Sequence, residues 1–281
     1  MKLNNTKIAV IGGDCRMLYA ANAFSKAGAE CAVFANDASI TDSIAYTKAR
    51  TLSDALGEAS AVLLPIPLSR DKYTLNAPFY NEKLSLEKIA LSIPENACVC
   101  AGLPMDAFEG FPFSVMDYGS DRYFAIKNAE YTAEGAISIA IDKSNLALDG
   151  SKCCIFGYGR IGKALSKRLL SFGASISVFA RDPKDRELIE HNGLRHVSYS
   201  LYEEELKDCD FLFNTVPDRQ IASLYRSCPS STLIIELAGQ HCSEGNIINA
   251  SSLPSIYSPK SAGILIFKTV CRNLGYCEKG E

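Results

Sequence analysis

The chain lacks the features that mark several large functional classes. It has no basic excess: 29 Lys and Arg against 32 Asp and Glu leave a net charge of −3. No basic stripe interleaved with aromatic residues runs along it, so the electrostatic footprint of a nucleic-acid binder is missing. It has no stretch of about 18 consecutive apolar residues, the length a membrane-crossing helix needs. Its start, Met1–Gly13, passes from polar residues straight into a short apolar strand, without the charged start, apolar run and small-residue cleavage site of a secretion signal. The expectation is a cytoplasmic protein that meets neither nucleic acid nor membrane. Metal and disulfide chemistry is poorly supplied too. The 11 cysteines are an odd number, scattered, and mostly inside apolar stretches (Cys31, Cys98, Cys100, Cys153 and Cys154); no C-x-x-C occurs. The 3 histidines, His191, His196 and His241, do not sit at ligand spacing from any cysteine pair. Reduced thiols acting as small apolar side chains, and no metal, are expected.

What the chain does have is one short pattern written twice. At 281 residues it is long enough for two domains with cores of their own. Lys7–Asp37 lies over Lys152–Asp182 without a gap: Gly12 falls on Gly157, Gly28 on Gly173, Val33-Phe34-Ala35 on Val178-Phe179-Ala180, and Asp37 on Asp182. Each copy reads as a buried strand, a glycine turn, an amphipathic helix, a second glycine and another strand, the opening βαβ of a Rossmann-type unit. The repeat continues. Leu52–Leu56 then Ser60–Pro67, and Leu201–Leu206 then Asp210–Pro217, are each an acidic helix followed by a buried strand ending in proline. Ala97–Gly102 and Thr232–Gly239 are short interior strands closed by glycine. The expected fold class is α/β: two Rossmann-like, doubly wound lobes with a cleft between them, residues 1–130 and 131–281. Tyr131–Ile141 predicts a linking helix with Thr132 as its N-cap. Ser258–Gly263 introduces a closing helix, Ile264–Leu274, that packs back toward the first lobe, and the tail Cys277–Glu281 is expected to fray.

Only the second copy is suited to a dinucleotide. It carries the full G-x-G-x-x-G at Gly157, Gly159 and Gly162, after an apolar strand and before a helix over Lys163–Ser171. The turn Gly157-Tyr158-Gly159-Arg160-Ile161-Gly162 is therefore the expected pyrophosphate site. The first copy has Asp14 and Met17 at the second and third glycine positions, where a carboxylate and a bulky side chain obstruct the approach of a phosphate. At the end of the second strand, where an acid would take the ribose hydroxyls of NAD, stand Ala180 and Arg181, with Lys184 and Arg186 just beyond. The segment Gly173–Arg186 is similar to the NADP clamp of shikimate dehydrogenases, with Asp182 as a departure, so NADP is favoured over NAD. Asn214-Thr215-Val216-Pro217 ends a strand of the same lobe, and its backbone is expected against the nicotinamide ribose. In the first lobe, Asp14 and Arg16 follow the first strand and Arg70 follows Pro65-Ile66-Pro67. Two arginines in such places suit a substrate carrying carboxylates. Lys127–Gly135 adds a cation, an amide, a hydroxyl (Thr132) and carboxylates near the junction. Lys127 or Glu134 is a candidate base if burial moves its pKa toward neutrality, and His241 is a third.

These motifs together carry a family resemblance. Gly12–Arg16, Pro65–Pro67, Asp117 with Ala125–Ala129, Thr132–Ala136, Gly157–Leu165, Asn214–Pro217, and Leu253-Pro254 with Ser258–Gly263 occur in one order over nearly the whole chain. The chain resembles the family of A-type subunits of dipicolinate synthase. The resemblance implies a two-lobed, NADP-binding oxidoreductase in the mother cell of a sporulating bacterium. It would work with a flavoprotein-like B-type subunit of the synthase to make pyridine-2,6-dicarboxylate (dipicolinic acid) from hydroxy-tetrahydrodipicolinate, a small dicarboxylate. A homo-oligomer is expected as well. One segment departs: Gly239-Gln240-His241-Cys242-Ser243 stands where the family has a Ser-x-Pro-Gly-Gly-like turn. The competing readings are a 2-hydroxyacid, alanine or shikimate-type NAD(P) dehydrogenase, and a non-catalytic NADP-binding scaffold protein.

Overall fold

The computed structural model describes residues 3–102, 108–240 and 245–276. Two compact units divide the chain. The first takes in Met1–Lys127 and Ser258–Glu281, the second Asn128–Tyr257. In the first, the elements run β1 (Lys7–Ile11), α1 (Cys15–Lys26), β2 (Glu30–Phe34), β3 (Thr47–Lys48), α2 (Leu52–Leu56), β4 (Ala61–Leu63), α3 (Leu86–Ser92), β5 (Cys98–Ala101) and β6 (Ser114–Asp117). Helix α4 (Arg122–Lys143) follows, and the division between the units falls inside it. The second unit continues with β7 (Lys152–Phe156), α5 (Arg160–Ser171), β8 (Ser175–Phe179), α6 (Pro183–His191), β9 (Arg195–Val197), α7 (Tyr202–Leu206) and β10 (Phe211–Asn214). It closes with α8 (Arg219–Leu224), β11 (Leu233–Glu236), β12 (Ile247–Asn249) and α9 (Leu253–Tyr257), and α10 (Pro259–Asn273) returns to the first unit.

The strand order is β3-β2-β1-β4-β5-β6 in one sheet and β9-β8-β7-β10-β11-β12 in the other, so the two lobes share one topology strand for strand. Every ladder is parallel. This is the doubly wound order in which the chain reverses direction beside the first strand and opens a crevice there. Parallel sheets are covered on both faces, and β7 shows it. Cys153 and Ile155 enter one apolar cluster with Leu165, Leu169 and Phe213, whereas Cys154 and Phe156 enter another with Phe179, Leu206 and Leu212. Each fully buried Ile or Phe of this kind contributes roughly 1.5–3 kcal/mol.

The lobes part company after their second strands. In the second lobe Asp182 caps α6, its side chain accepting from Lys184 N at 2.9 Å with Pro183 in the first turn. In the first lobe no helix forms between β2 and β3. That stretch is instead tied to α1, through Ala45 N donating to Asn22 Oδ1 at 2.8 Å and the Tyr19 and Thr41 hydroxyls at 3.1 Å.

Three helix starts differ from the sequence expectation. Helix α4 begins at Arg122, not near Thr132, because Asp121 Oδ1 accepts from Phe124 N at 2.9 Å and does the capping. Thr132 is mid-helix, and its hydroxyl donates back to Asn128 O at 2.8 Å. Helix α5 starts at Arg160, immediately after the second glycine of the turn, and α10 starts at Pro259. Gly263 is inside α10 rather than ahead of it, because that helix crosses α1 closely: a Cβ there would lie 2.5 Å from Arg16 O and 2.6 Å from Tyr19 Cβ. Phe24 and Phe267 meet edge to face at 4.8 Å in the same contact. Gly263→Ala should force the two helices apart and cost about 1–3 kcal/mol despite alanine's better helix propensity, read as a lower midpoint in denaturant unfolding.

Candidate functional site

The turn after β7 is built around backbone contacts that leave no room for side chains. Gly157 has φ +93°, and a Cβ on it would sit 2.6 Å from Thr215 Oγ1. At Gly162 a Cβ would lie 2.1 Å from Gly157 O, so the start of α5 is pressed directly onto the turn. Gly159 is different: no heavy atom lies within 4 Å of where its Cβ would be. Its lack of a side chain therefore serves nothing within the lobe and keeps open the space above the turn. Gly159 is also the N-cap of α5 and supplies no side-chain acceptor, so the first N–H groups of the helix keep the anion-binding capacity of a helix start. These features fit a dinucleotide pyrophosphate.

The matching turn of the first lobe is filled by its own side chains. Gly12 N donates to Phe34 O at 2.9 Å just as Gly157 N donates to Phe179 O at 2.9 Å, so the two turns leave their strands in the same way. Asp14, however, caps α1 by accepting from Arg16 N at 3.0 Å, and its carboxylate also takes Arg16 Nε at 2.9 Å and Nη2 at 2.8 Å. Met17 is buried, with its Cγ 2.3 Å from where a Cβ of Gly13 would be. Asn36 is buried at the end of β2, donating to Gly12 O and Asp14 O at 3.1 Å each. A carboxylate of the chain thus occupies the helix start that a phosphate would take.

Arg16 is one of the two arginines expected to meet substrate carboxylates. It is 7% exposed and turns back on Asp14 and on Ile66 O at 2.8 Å, because a buried guanidinium needs its charge matched nearby. It ties the β1–α1 turn to the segment after β4. Arg70 is exposed, with Nε directed at Asn76 Oδ1 at 3.4 Å. Glu134 is exposed on α4 and ion-paired to Arg168 Nη2 at 3.0 Å. Lys127 is half-buried in the first turns of α4. In the glycine turn, Tyr158 buries its side chain in the core, where its hydroxyl accepts from Asn192 Nδ2 at 3.1 Å, so only its backbone borders the turn. Ile161 packs against the same core and Arg160 is exposed. His241 and the rest of the segment from residue 241 to 244 lie outside the described residues.

At the rim of the second lobe, Arg181 Nη2 donates to Asp218 Oδ2 at 2.5 Å and its guanidinium lies 5.6 Å from the centre of the Tyr199 ring. That hydrogen bond and the charge of Asp218 raise the pKa of Arg181, and the bond from Arg181, followed by that from Gln220 N, lowers that of Asp218. Asp182 is engaged as the α6 cap. Behind the rim, Asn214 is buried and grips the following loop, accepting from Val216 N at 3.0 Å and donating to Val216 O at 3.2 Å. Thr215 Oγ1 donates to Phe156 O at 2.7 Å. Glu236, which the sequence motifs do not single out, is 1% exposed. Its carboxyl accepts from Asn214 Nδ2 at 2.7 Å, Tyr225 OH at 2.5 Å and Ala238 N at 2.6 Å, so one group fixes the loops after β10 and β11. A carboxylic residue in an otherwise apolar strand, Leu233–Leu237, is the signal that could have found it.

A cavity of about 240 Å³ opens at the opposite edge of this sheet, lined by Lys152, Ser175, Arg195, Glu205 and Asp208 among others. Both of its cations are paired within it, Arg195 with Glu205 at 2.9 Å and Lys152 with Asp208 at 3.0 Å, and it is remote from the carboxyl ends of the strands. Among the described residues no group of three or more His, Cys, Asp or Glu side chains could hold a metal, and no helix is long and apolar enough to cross a membrane.

Two family models match successive parts of the chain. Residues 7–110 match the N-terminal domain of the dipicolinate synthase A-type subunit, and residues 126–223 match the NAD binding domain of D-isomer specific 2-hydroxyacid dehydrogenases. The chain is 25% identical over 295 residues to the dipicolinate synthase A-type subunit of Bacillus subtilis (strain 168), with 99% of each chain covered. It superposes on the crystal structure of the same synthase subunit from Bacillus halodurans with a TM-score of 0.83 at 25% identity, covering 98% of this chain and 99% of that one. The fold is shared with a transhydrogenase from Sinorhizobium meliloti, at TM-score 0.69 and 15% identity over 96% and 93% of the two chains. A dehydrogenase-type NAD(P)-binding domain is therefore present, and its matched span contains the glycine turn, Arg181, Asn214 and Asp218.

Proposed function

Because the chain groups with the A-type subunits of dipicolinate synthase from end to end, we propose that it is the NADP-dependent component of such a synthase. It converts hydroxy-tetrahydrodipicolinate to pyridine-2,6-dicarboxylate together with a B-type subunit, in the mother cell during sporulation. The observation that carries the cofactor half of this reading is the contrast between the two turns: an open, uncapped helix start at Gly159 against one filled by Asp14. Aromatisation of the ring removes water, one hydride and one proton, and NADP, when bound in its oxidised form, would supply the hydride acceptor. The residues of the chain do the positioning. The first N–H groups of α5 would hold the pyrophosphate, Arg181 would take the 2′-phosphate, and the loop Asn214–Pro217, held by Glu236, would face the nicotinamide ribose. On the substrate side Arg70, exposed after β4, takes a carboxylate, while the Arg16–Asp14 pair holds the shape of the neighbouring turn. A group on α4, Lys127 or Glu134, receives the ring proton.

The match to the 2-hydroxyacid dehydrogenase NAD binding domain favours one second reading, oxidation of a 2-hydroxyacid. The test is a coupled assay of the chain with its B-type counterpart, supplied either with synthase-generated hydroxy-tetrahydrodipicolinate or with a panel of 2-hydroxyacids, following reduced cofactor and the ultraviolet absorbance of the pyridine diacid. Reduced cofactor from a hydroxyacid and none from the dipicolinate precursor would overturn the first reading. For the cofactor, Arg181→Ala should weaken NADPH binding roughly tenfold or more, the scale of losing a charged bond to phosphate, while NADH binding is little changed. An equal loss for both cofactors in a fluorescence titration would remove Arg181 from the 2′-phosphate site.

A further inference from the structure

The contact between Arg181 and Asp218 joins two loops that flank the glycine turn. Arg181 follows β8 and Asp218 follows β10, and these strands lie on either side of β7. In a doubly wound sheet the dinucleotide enters the crevice between those loops. The ion pair therefore stands where the cofactor arrives, and it holds a guanidinium at the end of β8, where the 2′ position is read. From this placement, and resting on the NADP reading above, we infer that Asp218 is a specificity-determining residue that limits the preference for NADP over NAD.

The argument is one of charge competition. A 2′-phosphate brings about −1.5 to −2 charges and several strong acceptors to Arg181. Asp218 already takes Nη2 of that guanidinium, so the phosphate must share the donor and sit beside a fixed carboxylate, one guanidinium away. The 2′-hydroxyl of NAD is neutral and meets no such repulsion. Its proton can be donated to Asp218 itself. Two further contacts separate this role from simple scaffolding. Tyr199 supports the guanidinium from another side, so Arg181 keeps a seat when Asp218 loses its charge. The other oxygen of Asp218 caps α8 by accepting from Gln220 N at 3.0 Å, a task asparagine performs equally well. Asp218→Asn therefore removes the charge and keeps the cap.

The experiment is a titration of NADPH and NADH against the wild-type chain, Asp218→Asn, Arg181→Ala and the double variant, at one fixed ionic strength, with melting temperatures recorded alongside. The readout is the ratio of the NADH to the NADPH dissociation constant. Asp218→Asn should raise it about three- to tenfold, the upper range for releasing a partly exposed ion pair next to a multiply charged ligand, with the melting temperature unmoved. In the double variant that gain should vanish, because no guanidinium is left to release. If Arg181→Ala collapses the ratio but Asp218→Asn leaves it unchanged or lowers it, Asp218 is only a helix cap and the NADP reading stands without it. If Arg181→Ala leaves the ratio unchanged, Arg181 does not read the 2′-phosphate and this assignment falls with it.

Discussion

Glu236→Ala should lower the melting temperature by roughly 10 °C, corresponding to about 3–5 kcal/mol, and weaken cofactor binding at the same time. Three donors converge on this carboxyl inside the second lobe: the Asn214 side chain, the Tyr225 hydroxyl and the Ala238 amide. Removing it strands the Asn214 and Tyr225 groups in a space sealed from water, since Glu236 and Asn214 are 1% and 0% exposed, and frees the part-buried Ala238 amide. Each orphaned donor carries a desolvation cost of about 1–3 kcal/mol, which the vacated volume cannot repay because it is too polar to stay dry and too enclosed to fill freely. Cofactor binding follows because Asn214 also grips Val216 and the Ala238 amide begins the loop after β11. Glu236→Gln keeps one acceptor oxygen and should lose about half as much stability. A Glu236→Ala variant that melts within about 2 °C of the wild type, by calorimetry at neutral pH, would show that water or another side chain satisfies these groups.

How much of this was legible in the sequence follows from the range of the interactions involved. The duplicated lobes were readable because each is specified by local pattern. An apolar strand, a glycine at positive φ and an amphipathic helix recur at Lys7–Lys26 and Lys152–Ser171, and the backbone bonds of Gly12 and Gly157 to the next strand are the same. The missing glycines of the first turn were readable for the same reason. Helix starts were not, since Thr132 and Asp121 are both good N-cap types and only the tertiary structure chooses between them. Short edge strands such as Ser114–Asp117 and Ile247–Asn249 carry too little apolar pattern of their own to stand out. The side-chain pairings at the sites were hidden most completely. Arg181 with Asp218, and Arg16 with Ile66 O, join residues far apart in the chain, so a sequence offers the charges without their partners. Arg16 read as an available cation because nothing local announces that its neighbour Asp14 would turn back to neutralise it.

The duplication supplies its own most demanding test, which is to write the residue of the first turn into the second. Gly159→Asp, placing there what Asp14 is in the first lobe, should reduce NADPH and NADH binding by at least about 100-fold, because two interactions reverse sign together. The new carboxylate would accept from the first N–H groups of α5, as Asp14 accepts from Arg16 N, and so remove the donors a pyrophosphate uses. It would also place a negative charge in the open space above the turn, against an anionic ligand. Folding should be untouched or improved by a few tenths of a kcal/mol, since nothing obstructs a Cβ at Gly159 and aspartate is a better N-cap than glycine. Gly162→Ala is the control with the opposite signature: its Cβ would meet Gly157 O at 2.1 Å, so stability and binding fall together. Calorimetry on the wild type should accordingly count one nucleotide per chain, and Gly159→Asp should count none while melting normally. A single remaining site in Gly159→Asp, lost only when Gly12 or Gly13 is also replaced, would place a dinucleotide in the first lobe and show that Asp14 and Arg16 give way to it.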